Sequence, residues 1–173
     1  MKIAFTISRD LGQTDQLLAE VAKDLESFGI RTCGTVQINS NLGYRHDCNM
    51  DIKVLPNGPV VRISQSLGKE AKGCRLDPSA LEEAVHLVEA AILCGPDLLI
   101  INKFGKHEAE GRGFRAVIAE ALSQDIPVMV GLSELNKTAF EEFTSGTALL
   151  LPAEKSKIVE WCMDISSFLE VKT

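Results

Sequence analysis

The stretch from Asp97 to Asn102, DLLIIN, is apolar at every internal position. A strand with one face in water alternates apolar and polar residues. A run without alternation fits a strand covered on both faces, which is the environment of a parallel sheet packed between helix layers. "KIAFTI" (2–7), "IRTCGTVQI" (30–38), "IPVMVGLS" (126–133) and "TALLLP" (147–152) have similar character. Between them lie helical patterns. In residues 14–29, Leu17, Leu18, Val21, Ala22, Leu25 and Phe28 share one stripe, and Gly29 is placed to stop the helix. Residues 77–95 carry a cap-like Asp77, Pro78 in the first turn and a closing Gly95. Residues 113–125, 134–146 and 153–170 read as three more helices, the last amphipathic. "DIKVLPNGPVVRIS" (51–64) reads as two strands around a Pro-Asn-Gly-Pro turn, an antiparallel hairpin. The expected architecture is a single α/β domain over residues 1–173: three layers, doubly wound, with a mostly parallel sheet and an inserted β-hairpin.

In such sheets ligands bind beyond the carboxyl ends of the strands. Two loops belong there. The first, "SRDLGQTD" (8–15), follows the first strand. The phosphate-loop pattern G-x-x-x-x-G-K-[ST], laid on residues 7–14, puts Ile7 at the first Gly, Gly12 at the second, Gln13 at the Lys and Thr14 at the hydroxyl. Gln13 donates a hydrogen bond but carries no charge. Gly12 and the helix start can hold an anion through backbone N–H groups and the helix dipole. The same residues also fit a plain tight turn in which Thr14 caps the helix.

The second loop, "NKFGKHEAEGRG" (102–113), follows the central strand. In phosphate-loop hydrolases that strand ends in an acid that holds Mg²⁺. Here it ends in Asn102 and Lys103. Lys103, Lys106 and Arg112 are the expected anion holders, with Glu108 or Glu110 placed to act as a base and Glu108 taken as the catalytic one. "ISQSLGKEAKGCRLD" (63–77) is read as a loop able to fold over the ligand, with Lys69, Lys72 and Arg75 replacing the charge that Gln13 lacks. Loss of both the loop Lys and the strand-end acid removes several kcal/mol of transition-state stabilisation, which weighs against standard Mg-NTP hydrolysis and leaves open a residual triphosphatase with degenerate motifs.

Other chemistry is sparse. The five cysteines are odd in number and show no CxxC pair, which argues for reduced thiols and against a disulfide scaffold. His46, Asp47 and Cys48, joined by Cys74 or His107, make a soft-ligand metal set a third alternative, and no metal residue is assigned. His86 is read as packed or at an edge, and Cys94 and Cys162 as structural cysteines near helix ends. The net charge of −6 argues against a nucleic-acid footprint. No apolar run reaches membrane-spanning length, and the amino terminus does not read as a signal peptide, so the expected location is the cytoplasm. An exposed face on the last helix would allow a homodimer.

The segments 8–37, 63–85, 97–122 and 126–132 resemble a bacterial domain-of-unknown-function family labelled nucleoside-triphosphatase-like or molybdenum ABC transporter ATP-binding. The resemblance implies distant kinship with phosphate-loop nucleoside triphosphatases. In those relatives the second strand runs into an acidic pair followed by G-K-x-E. Gly105, Lys106 and Glu108 match that pattern, and Asn102 and Lys103 replace the acids. The expected function is binding of a nucleotide or another small anionic phospho-ligand, with ATP or GTP and Mg²⁺ as the cofactor implied. The alternatives are a non-catalytic sensor or adaptor for an oxyanion such as molybdate, and a metal-binding accessory protein.

Overall fold

The computed structural model describes residues 2–8, 12–39, 50–65 and 76–170, with the side chains of the last helix described to residue 165. Among these residues a seven-stranded sheet forms from β1 (Ile3–Thr6), β2 (Thr32–Asn39), β3 (Met50–Leu55), β4 (Val60–Arg62), β5 (Leu98–Phe104), β6 (Val128–Leu132) and β7 (Leu149–Leu151). The spatial order is β4-β3-β2-β5-β6-β1-β7. Strands β2, β5, β6, β1 and β7 run parallel, while β3 and β4 add as an antiparallel hairpin on the β2 edge.

Helices cover both faces. On one face α1 (Gln13–Ser27) and α6 (Lys155–Glu170) pack Leu18, Val21, Leu25, Ile158 and Cys162 against Ala4, Val36, Leu98, Ile100 and Met129. On the other, α2 (Pro78–Ile92), α4 (Arg115–Ser123) and α5 (Lys137–Phe143) pack Leu81, Val85, Val88, Ile118 and Phe140 against Phe5, Leu99, Ile101, Val128 and Val130. Successive residues of β5 and β6 thus enter opposite cores, which is why both strands are apolar throughout.

The expected punctuation marks hold. Asp77 accepts hydrogen bonds from the Ser79 and Ala80 N–H groups at the start of α2. Gly29 follows α1 at φ 79°. The loops that feed β2 and β5 are tied together: Arg31 donates side-chain and backbone bonds to Asp97, and the Asp97 N–H returns one to the Arg31 carbonyl. Burial pushes the Asp97 carboxyl up, but the Arg31 hydrogen bonds outweigh it and hold the group below its ordinary value.

Several local expectations are corrected. Strand β5 does not stop at Asn102. It continues to Phe104 across a register shift between Ile101 and Phe104, since Phe104 is fully buried and packs edge-on against Phe140 at 5.1 Å between ring centroids. The following loop contains a short helix, α3 (Lys106–Ala109). The fourth helical segment begins as a 3₁₀ turn, Glu134–Asn136, and becomes α-helical only at Lys137. His86 is exposed and pairs with Glu89 at 3.0 Å rather than packing. Cys94 is exposed, and Cys162 is buried in the middle of α6, not near its end. No helix among the described residues is long and apolar enough to cross a membrane.

Candidate functional site

Strand β6 lies between β1 and β5, so the loops after all three strands converge on one stretch of the sheet's carboxyl edge. The convergence depends on a missing side chain. A Cβ on Gly131, in β6, would stand 2.0 Å from the Asn102 carbonyl oxygen and 2.9 Å from the Thr14 methyl carbon. Glycine here lets the start of α1 and the end of β5 close over β6.

Above that point is a cavity of about 710 Å³. Ser8, Gly12, Thr14 and Asp15 line it from the β1–α1 connection, Asn102 and Lys103 from β5, Ser133, Glu134 and Lys137 from the segment after β6, and Leu151, Pro152 and Ala153 from the end of β7. Gly12, at φ 81°, is the N-cap of α1, and no side chain among the described residues caps the helix there. Thr14 therefore does not cap. Its hydroxyl accepts the Ser8 N–H at 3.3 Å. A fifteen-residue helix thus begins at the cavity, and among the described residues no side chain caps its leading N–H groups, an arrangement that favours an anion.

Asn102 is the centre of the wall. It is buried, its Oδ1 accepts the Gln37 N–H at 3.0 Å, and its Nδ2 donates to Asp15 Oδ1 at 2.8 Å. Both ends of the carboxamide are engaged. Asp15 stands on the first turn of α1, one residue after Thr14. The neutral amide supplies no negative charge for Mg²⁺ at the strand end, and no step through the metal is assigned.

Of the basic residues expected from the second loop, Lys103 lines the cavity and makes no ion pair among the described residues. Lys106 and Arg112 converge on Glu110, Lys106 at 3.7 Å and Arg112 through a direct side-chain hydrogen bond. That Arg112 bond, chiefly, holds the Glu110 carboxyl below its ordinary value, with Lys106 adding to it. Lys106 lines a neighbouring cavity, and Arg112 lines neither. Gln13 is exposed beside Gly12 and does not line the cavity.

Glu108 is 3% exposed, and its two carboxylate oxygens accept the Gly105 and Phe114 N–H groups at 2.8 and 3.1 Å. That is the geometry of a loop brace. Gly113, at φ 56°, makes room for it, since a Cβ there would fall 2.2 Å from Glu108 Oε1.

Lys69, Lys72, Arg75, His46, Asp47, Cys48 and Cys74 lie outside the described residues. Among the described residues no group of three or more His, Cys, Asp or Glu is arranged to hold a metal ion. Burial pushes the Cys33 and Cys162 thiols up to about 12, so neither is a ready nucleophile.

The fold is a three-layer α/β sandwich whose mostly parallel sheet carries a crevice at its carboxyl edge. Two solved structures share the architecture: a human cancer-related nucleoside triphosphatase, at TM-score 0.64 and 17% identity with 100% of each chain covered, and THEP1 from the hyperthermophile Aquifex aeolicus, at TM-score 0.63 and 19% identity with 98% of this chain and 99% of that one covered. At these identities the likeness concerns the fold. The chain belongs to the family described as "Protein of unknown function (DUF2478)", whose model matches residues 3–161. A curated relative, the molybdenum import ATP-binding protein ModC 2 of Bradyrhizobium diazoefficiens, is 37% identical over 166 residues, covering 96% of this chain and 18% of the relative. The chain therefore spans less than a fifth of that protein's length.

Proposed function

We propose that the cavity beyond β1, β5 and β6 binds a nucleotide or another phosphorylated small molecule, and that the chain does not carry out standard magnesium-dependent hydrolysis. The phosphate would lie at the start of α1, against the backbone N–H groups after Gly12, with Lys103 and Lys137 as counter-charges. Its size, about 710 Å³, falls within the usual range for small-molecule sites and exceeds what a bare oxyanion fills. One observation carries the second half of the reading: Asn102 stands where the metal-holding acid is needed and is bonded to Asp15 instead. In this reading Glu108 braces the second loop, and activation of water is not assigned to it.

A second reading takes molybdate or a similar oxyanion as the ligand at the same helix start. It is favoured by the molybdenum-import name of the 37% identical relative.

Thermal denaturation with ATP, GTP, ADP, inorganic phosphate and molybdate, each with and without Mg²⁺, separates the two. A ligand at 100 times its Kd adds about 2.7 kcal/mol of stability. The expected result is stabilisation by a nucleotide, independent of Mg²⁺, without phosphate release. Stabilisation by molybdate alone selects the second reading. No effect from any of them, or rapid Mg-dependent phosphate release, overturns the proposal.

A further inference from the structure

A second cavity, of about 540 Å³, adjoins the first on the α2 side of the sheet. The two share Asp15, Asn102, Lys103 and Ser133 as a common wall. Its character differs. Met50 and Ile52 of the hairpin, Ile63, Leu81 of α2 and Phe114 give it an apolar floor. Of the polar groups that line it, Thr35 is the most recessed, 1% exposed, and its hydroxyl makes no hydrogen bond among the described residues. Every fully enclosed side-chain nitrogen or oxygen among those residues has a partner, so the sliver of Thr35 that stays open to the cavity is its hydroxyl. Lys106 and His107 line it from the second loop, and Leu135, 93% exposed, from the segment after β6. A large apolar side chain held almost wholly in water at the mouth of an apolar cavity, above a recessed hydroxyl without a protein partner, is the arrangement of a site awaiting a ligand.

We propose that this second cavity binds a second small organic molecule, one with an apolar ring-sized body and an anionic end. The body would lie on the Ile52–Phe114 floor, with Thr35 available to hydrogen-bond a polar atom on it. The anionic end would face Lys103 and Lys106. The proposal deepens the reading given above, because a phospho-ligand in the first cavity and this molecule in the second would be neighbours across the Asp15–Asn102 wall. The two readings nevertheless stand or fall separately.

The test uses the fluorescent probe 8-anilinonaphthalene-1-sulfonate, which has an apolar two-ring body and one sulfonate, titrated into the folded chain with and without saturating ATP. One-site binding is expected, weakened about tenfold by Leu135→Glu, the scale of discrimination that one apolar wall contact supplies. Leu135 is exposed, so this variant does not threaten folding. Lys106→Ala should weaken the sulfonate probe and leave the uncharged analogue N-phenyl-1-naphthylamine unchanged. ATP should leave the probe bound. Absence of one-site binding, equal affinity in the Leu135→Glu variant, equal loss of both probes in Lys106→Ala, or full displacement by ATP each overturns the second site. Normal probe binding together with no ATP binding leaves the second site intact and removes the phosphate reading instead.

Discussion

The Asn102→Asp variant puts the central contact under strain. In the native chain the Asn102 carboxamide donates to Asp15 Oδ1 at 2.8 Å, and Asn102 is 4% exposed. Replacing the amide with a carboxylate sets two negative groups face to face. At an effective dielectric of about 20, two unit charges roughly 4 Å apart repel by about 4 kcal/mol. The pair escapes part of this by keeping one proton and titrating as a unit. With that proton on the introduced carboxyl the native pattern is reproduced, its hydroxyl donating to Asp15 and its carbonyl accepting the Gln37 N–H. The sign follows from linkage. The introduced carboxyl is raised in the folded state above its unfolded value of about 3.9, so the folded variant binds more protons than the unfolded chain. Its stability relative to the native chain is therefore preserved near pH 4 and is lost as pH rises toward the raised value. Asp15 is half-buried, so water screens part of the repulsion, and 4 kcal/mol is an upper figure. At 2–4 °C per kcal/mol for a chain of this size, the melting temperature should fall by roughly 10 °C at pH 8. Urea denaturation of both proteins at pH 5 and pH 8 gives the difference directly. A variant as stable as the native chain at pH 8, or one with a pH-independent deficit, would refute the reasoning about this wall.

Other perturbations test the surrounding structure. Gly113→Ala forces a Cβ to within 2.2 Å of Glu108 Oε1 at a backbone φ of 56°, so chemical denaturation should show a loss of roughly 1–3 kcal/mol; no loss would remove the brace assigned to Glu108. Cys33 and Cys162, with thiols pushed up to about 12, should resist alkylation at pH 8 in the folded chain and react once it is unfolded, while exposed Cys94 reacts in both states, as peptide mapping would show. The depressed Asp97 carboxyl stabilises the fold above its unfolded value, and that contribution is lost as pH falls through its lower folded value. Arg31→Ala should flatten this part of the pH–stability curve, with an effect at neutral pH below about 1 kcal/mol, because the guanidinium is largely exposed.

Much of the architecture was legible because burial writes itself plainly into this chain. The unbroken apolar run at 98–101 could serve only a strand covered on both faces, and the Asp77-Pro78 start of α2 carries its own cap. The elements that were misjudged are those whose limits come from tertiary packing. Phe104 extends β5 past two polar residues because it has Phe140 to pack against. Strand β7 keeps only Leu149–Leu151, which pair with β1 alone. In the site, Gly12, Thr14, Asn102 and Lys103 were visible from their positions after two strands, and they do meet. Asp15, Ser133 and Lys137 were not. Asp15 left one usable signal, an acid directly after the phosphate-loop hydroxyl in a chain whose strand-end acid is an amide. Ser133 and Lys137 reach the cavity only because β6 is threaded between β1 and β5, and that order is not written in any local pattern. Arg112 looked equivalent to Lys103 by spacing, yet Glu110 takes it up two residues away.

The central claim concerns where a phosphorylated molecule lands. Backbone amide chemical-shift mapping of the isotopically labelled chain, titrated with ATP in the absence of Mg²⁺, measures that directly. The account predicts saturable shifts concentrated at Gly12–Asp15, Asn102–Lys103 and Ser133–Lys137. Shifts confined to the opposite edge of the sheet, or none at millimolar ATP, would contradict it.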